Sequence, residues 1–191
     1  MTIAGIVLAG GQSSRFGKPK MFETYKEKCF YEYSVEAFKA NSLSPIIIAT
    51  NQGLLPHFKR DDEVEFIIEQ KSESHQGPLF AMHHAMTKVD AEWYFILSCD
   101  IPFVTSEFVK KMISLAQGSS YDAIVPIQSD KVHPLLALYH QRSLPKMKKL
   151  LDQDIRKIRV FLNEINVLQV SFSADAEVFV NINRQEDMLY L

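Results

Sequence analysis

Two adjacent glycines, Gly10 and Gly11, close the apolar run Ile6–Ala9 and are followed by Arg15, Gly17 and the triplet Lys18-Pro19-Lys20. Much further along, Asp100 ends a second apolar run in the stretch "LSCDIP". Glycine lets backbone N–H groups approach a phosphate closely and take up positive φ without a Cβ clash. Arginine and lysine neutralise phosphate charge, and a carboxylate is a hard oxygen ligand suited to Mg²⁺. These residue types point to chemistry on a charged phosphate chain. Four of the seven glycines (Gly5, Gly10, Gly11 and Gly17) fall within the first 17 residues, a concentration that supports a phosphate loop after the first apolar run.

Three loops compete for that reading. A P-loop requires four residues between its glycines and a Ser or Thr after its lysine, to place a hydroxyl on Mg²⁺. Here five residues separate Gly11 from Gly17, and Pro19 takes the hydroxyl's place. A dinucleotide loop, GxGxxG, fails at its second glycine. A nucleotidylyltransferase loop fits: Gly10 and Gly11 approach base and phosphates, while Arg15 and Lys20 meet the triphosphate. Lys20 is favoured over Lys18 for that role. Asp100 is the expected metal ligand, because Pro102 turns the chain away and Thr105 or Ser106 can cap the next helix.

Composition narrows the partners. The chain has 191 residues, 47% hydrophobic and 23% charged, with a net charge of −2. That is the balance of one globular domain spanning residues 1–191. No basic excess marks a nucleic-acid surface, and no apolar run reaches the roughly 18 residues of a membrane span. The first residues lack the basic stretch of a signal peptide, so a cytoplasmic protein is expected. Cys29 and Cys99 stand far apart in unrelated settings, which excludes a disulfide framework. Cys99 reads as a buried thiol.

The elements that must position these residues alternate. Thr2–Ala9, "PIIIAT", "EVEFIIE" and "EWYFILSCD" read as buried strands. Phe30–Ala40 and "TSEFVKKMISLAQG" carry helical periodicity, Pro78 opens another helix, and "SLPKMKKLLDQD" is a fourth. "YDAIVPI" and "HPLLALYH" are later strands, and "EVFVNIN" is expected to be a strand leading into a short terminal helix. The pattern is an α/β, Rossmann-like fold: a mostly parallel central sheet with helices on both faces. Ligands gather at the carboxyl ends of such strands, where both the glycine loop and Asp100 fall. His133 begins one of the later strands. Asn181 and Asn183 alternate by two, which places both amides on one side of a strand.

The segments "LAGGQSSRFGKPK", "QGPLFAM", "CDIPFV", "HPLLALY", "IRKIRVFL" and "FVNIN" occur in an order that resembles the molybdenum cofactor guanylyltransferase family, within the wider nucleotidylyltransferase superfamily. The resemblance runs from Ile6 to Leu191. It implies transfer of GMP from GTP to the terminal phosphate of Mo-molybdopterin, with Mg²⁺ as cofactor and pyrophosphate as leaving group. It also implies molybdopterin-carrying proteins or molybdoenzyme chaperones as further candidate partners. By the same resemblance Leu8, Ala9, Gly10 and Gly11 belong to the nucleotide loop, Lys20 is its lysine and Asp100 the metal aspartate. Asn181 and Asn183 then belong to the pterin side with His133, and Arg156 is placed to meet a phosphate. Three positions depart from the family pattern: Pro19 replaces an Asp, Ala49 an Asn, and Gln70 an Asp seven positions before Gly77. A carboxylate accepts from both N1–H and N2–H₂ of guanine, whereas Gln70 has one carbonyl oxygen to offer. CTP, or a different phosphorylated acceptor, is therefore the alternative reading, and a nucleotide-binding relative without turnover is the second.

Overall fold

The computed structural model describes residues 1–11, 18–70 and 76–182. Arg15, Gly17 and Asn183 of the predicted site lie outside them, as does the expected terminal helix.

Among the described residues, eight strands form one sheet. Inside it β1 (Ile3–Leu8) is flanked on one side by β4 (Ile46–Asn51) and then β5 (Val64–Glu69). On the other side lie β6 (Trp93–Ser98), β9 (Leu136–His140), β7 (Ala123–Gln128) and β10 (Val167–Phe172), with the short β8 (Lys131–Val132) against β7. All neighbours run parallel except β9, which is antiparallel to both β6 and β7, and β8, antiparallel to β7. The reversal follows from chain length. The link from Gln128 to Leu136 is too short for a parallel crossover, which takes a dozen residues or more. A small hairpin, β2 (Thr24–Tyr25) with β3 (Lys28–Cys29), stands apart from this sheet.

Burial on both faces explains why the strands are nearly continuous apolar runs. Side chains alternate across the sheet. Ile46, Ile48, Trp93, Phe95 and Leu97 face α1 (Phe30–Ala40) and α3 (Ser106–Ala116). Ile6, Ile47, Tyr94 and Ile96 face α2 (Pro78–Met86), α4 (Leu144–Asp152) and α5 (Ile158–Leu162). The expected architecture, mostly parallel with helices on both faces, is the one observed. Pro78 occupies the first turn of α2 as anticipated, and of the two candidate caps for α3 it is Thr105, whose Oγ1 accepts from the Phe108 N–H at 3.2 Å.

One expectation is corrected. The late strand is β10, whereas Glu177–Phe179 within "EVFVNIN" is a single 3-10 turn. Asn181 consequently lies on irregular chain, and no strand carries its amide. Gly5 lies within β1, as expected, and is needed for packing: a Cβ there would stand 2.4 Å from Phe38 Cδ2, in the fully buried ring that α1 lays across the strand. We expect Gly5→Ala to cost about 1–3 kcal/mol through overpacking, measured as a lowered urea midpoint with an unchanged m-value.

Candidate functional site

The chain leaves β1 for α1 and β4 on one side, while β6 occupies the other. The carboxyl end of β1 is therefore the switch point at which open α/β sheets bind ligands. Gly10 and Gly11 follow β1 there, and Asp100 follows β6. The two strand ends are tied together, since the Cys99 N–H donates to the Leu8 carbonyl at 3.3 Å.

The glycine turn is fastened to β4. The Ala9 N–H donates to the Ala49 carbonyl at 2.8 Å, the buried Thr50 hydroxyl donates to the Ala9 carbonyl at 3.0 Å, and Asn51 Nδ2 donates to the Gly10 carbonyl at 3.2 Å. Asn51 is itself fixed, its Oδ1 accepting from the N–H groups of Gly53 and Leu54. In a trans peptide the N–H points opposite to the carbonyl before it. With the Ala9 and Gly10 carbonyls turned to β4, the N–H groups of Gly10 and Gly11 point away from it, as a phosphate cradle requires. Nothing described lies within 4 Å of where a Gly11 Cβ would sit, and a Gly10 Cβ would meet the Glu69 carboxylate at 3.2 Å.

Lys20 reaches the same place from a 3-10 turn, Lys20–Phe22. Pro19 supplies the fixed φ that starts this turn, its carbonyl accepting from the Phe22 N–H at 3.2 Å, and the fully buried Met21 roots it in the core. Lys20 Nζ lies 3.2 Å from Asp100 Oδ2 and donates to the Ile182 carbonyl at 3.3 Å. The Ser98 hydroxyl donates to the other Asp100 oxygen. Lys18, by contrast, is half exposed and pairs with Glu23 at 2.5 Å. The geometry thus favours Lys20 of the two lysines and brings it to Asp100.

Asp100 brings one carboxylate to the strand end, and among the described residues no group of three or more His, Cys, Asp or Glu could hold a metal ion. That donor set suits Mg²⁺, which commonly takes one or two carboxylates and fills its remaining positions with substrate phosphate and water. It would not suit a structural zinc ion. The neighbouring Cys99 thiol is pushed up to about 12 by burial, with the Asp100 charge adding to the effect, so it stays protonated. The buried-thiol reading holds.

The remaining predicted residues fall in two groups. His133 is buried against the Phe179 ring, with centroids 4.5 Å apart, and Asn181 follows Phe179 by two positions. His133 Nε2 and Asn181 Oδ1 are both buried without a hydrogen-bond partner among the described residues. Buried polar atoms are normally satisfied, so two bare ones invite a ligand. Arg156 sits elsewhere. Its guanidinium pairs with Asp154 at 2.8 Å and donates to Gln76 through both side chain and backbone, tethering the turn that leads through Gly77 into α2. No described contact joins Arg156 to His133 or Asn181. Gln70 directly follows β5, next to Glu69. Sequence reasoning missed Thr50, Glu69 and Ile182; their only signal was proximity to the ends of strands or to "FVNIN".

Fold and site together define a nucleotidyltransferase. The model of the MobA-like NTP transferase domain matches residues 5–169. A probable molybdenum cofactor guanylyltransferase of Bacillus mycoides (strain KBAB4) is 35% identical over 188 residues, 96% of this chain and 92% of the relative. Among solved structures, the molybdopterin-guanine dinucleotide biosynthesis protein A of Archaeoglobus fulgidus superposes with a TM-score of 0.77 at 23% identity, covering 98% of this chain and 95% of that one. A Mycobacterium tuberculosis H37Rv protein crystallised in complex with manganese gives 0.75 at 15% identity, covering 100% and 98%. This chain belongs to the molybdenum cofactor guanylyltransferase family.

Burial, with the Lys131 charge adding to it, lowers the His133 pKa to about 4. A histidine near 6.5 when unfolded and near 4 when folded binds fewer protons in the native state. Its contribution to stability is therefore complete above pH 6.5 and declines as pH falls toward 4. Urea titrations across that window should show a shallower decline in His133→Gln than in the unmodified protein.

Proposed function

We propose that the chain transfers GMP from GTP to the terminal phosphate of Mo-molybdopterin, releasing pyrophosphate, and that residues 1–191 act as one nucleotidyltransferase domain in the cytoplasm. The observation that carries this reading is the Lys20–Asp100 pair at the switch point, beside a glycine turn whose N–H groups face away from β4. Gly10 and Gly11, with the flanking Leu8 and Ala9, cradle the nucleotide. Lys20 and Arg15 offset the triphosphate charge and the charge that builds on the departing pyrophosphate. Asp100 would hold a divalent cation, for which Mg²⁺ suits a carboxylate completed by substrate phosphate and water; bound there, the ion would neutralise phosphate oxygens and orient the triphosphate. The manganese in the Mycobacterium tuberculosis neighbour is in keeping with a divalent ion in this fold.

The acceptor lies on the side of His133, Asn181 and Asn183, where the bare His133 Nε2 and Asn181 Oδ1 are suited to pterin donors and acceptors. Arg156, beside the Gly77 turn, is available to a phosphate. The pterin phosphate attacks the α-phosphorus in line, so that one P–O bond forms as the bond to pyrophosphate breaks, with no covalent enzyme intermediate. For the base, Gln70 supplies one carbonyl acceptor. The Glu69 carboxylate against Gly10 supplies the second that guanine's N1–H and N2–H₂ call for. Molybdopterin-carrying proteins or molybdoenzyme chaperones are the protein partners this chemistry would need.

Pyrophosphate release measured with each of the four ribonucleoside triphosphates, Mg²⁺ and Mo-molybdopterin tests the reading. Turnover with GTP is expected; turnover with CTP alone would overturn the base, and none with any nucleotide would overturn the activity. Lys20→Ala should lower kcat/KM about ten- to a hundredfold, the worth of one charge-assisted contact made in the transition state. Asp100→Asn should cost more and weaken the dependence on Mg²⁺. Glu69→Gln should narrow the preference for GTP over CTP while leaving the response to Mg²⁺ intact.

A further inference from the structure

Ile182 is fully buried, yet it lies outside both faces of the main core. Its side chain fills a separate apolar cluster with Phe30, Tyr25 and Phe103. Those partners come from the β2–β3 hairpin, from the first turn of α1 and from the loop that follows Asp100. The backbone of the same residue reaches both site residues: the Ile182 N–H donates to the Asp100 carbonyl at 3.1 Å, and the Ile182 carbonyl accepts from Lys20 Nζ at 3.3 Å. Upstream the segment is held by Gln128, whose Nε2 donates to the carbonyls of Ser173, Ala174 and Ala176, and by Phe179 packed among Phe108, Phe172 and His133. Of the residues between Phe179 and Ile182, Val180 is largely exposed and Asn181 partly so. Ile182 is therefore the local anchor.

A lysine has a long, flexible stem, and one carboxylate partner leaves it many rotamers. A second acceptor on buried backbone removes most of them. We propose that Ile182 is a positioning residue: its side chain seats the segment so that its carbonyl and N–H hold Lys20 and Asp100 in register. With a metal held at Asp100, the carbonyl would still direct Lys20 into the site. This inference rests on the reading that Lys20 and Asp100 act in nucleotidyl transfer.

The test combines turnover with a measurement that needs none. In Ile182→Ala, kcat should fall roughly ten- to a hundredfold, the scale of misplacing a catalytic group by about an ångström, with KM for GTP within about twofold by the same argument, since the nucleotide loop is untouched. Ile182→Val should restore most of the rate. In a Lys20→Ala background, Ile182→Ala should add little further loss, because the group it positions is gone. Separately, limiting acetic anhydride followed by mass spectrometry should label Lys20 faster in Ile182→Ala than in the unmodified protein, with the exposed Lys149 as internal reference. Should Ile182→Ala fail to fold, Phe103→Ala opens the same cluster from a half-buried position and should give the same loss of rate and the same gain in labelling. An unchanged kcat, an equal loss in both backgrounds, or an unchanged labelling ratio would overturn the proposal. If no form of the protein turns over any nucleotide, the functional reading fails, and the labelling ratio alone decides whether Ile182 holds Lys20.

Discussion

The contact between Lys20 Nζ and Asp100 Oδ2, 3.2 Å long and partly shielded from water, joins two residues that the sequence keeps far apart. Each arrives on a separately built support. Lys20 comes from a proline-initiated turn rooted by Met21, and Asp100 comes from the end of a strand buried on both faces. What brings the supports together is the parallel pairing of β1 with β6, in register from Ile3↔Trp93 to Leu8↔Ser98. A slip of one residue would exchange the two faces of β6 and carry Asp100 away from the glycine turn. The alternation of Trp93, Phe95 and Leu97 with Tyr94 and Ile96 holds that register, because each set has its own helices to bury against. Core packing and site geometry are in this sense one constraint.

Charge placement follows the same economy. Lys18 and Lys20 differ in sequence by one intervening proline, but one is solvated beside Glu23 and the other is directed inward. The Cys99 thiol lies next to Asp100, the proposed metal aspartate, and is kept neutral by burial, so it adds no second negative charge there. The carbonyls of Ala9 and Gly10 are occupied by Thr50 and Asn51, and the turn is left with its amide face toward the ligand side. Each arrangement suits the phosphate site proposed above without a basic surface, in keeping with a chain whose net charge is −2.

Much of the fold was legible because its signals are local. Continuous apolar runs marked β1, β4, β5 and β6, and Pro78 and Thr105 marked helix starts through the chemistry of their own backbone. The glycine turn and Asp100 could be found because strand ends are where α/β sheets place ligands. What stayed hidden was non-local. The approach of the Phe38 ring to Gly5 is one such contact, and the tie between Arg156 and Gln76 is another. The segment "EVFVNIN" has strand composition, but no sheet edge receives it; the strand forms instead at Val167–Phe172, where β7 offers a parallel partner. Ile182 gave little signal beyond its place in "FVNIN", because its contacts to Lys20 and Asp100 are made by backbone groups that every residue possesses.

β1 precedes the other described strands in sequence yet lies inside the sheet, with β4 on one side and β6 on the other. As the polypeptide leaves the ribosome, β1 and β4 can pair early, but the opposite edge of β1 stays open until Trp93–Ser98 has emerged. Until then a β-branched, nearly uncharged edge is exposed to other nascent chains, the situation in which strands add to the wrong partner. The carboxyl end of β1 gains its second neighbour only when the fourth long strand has joined, so completion of the switch point is a late event in folding.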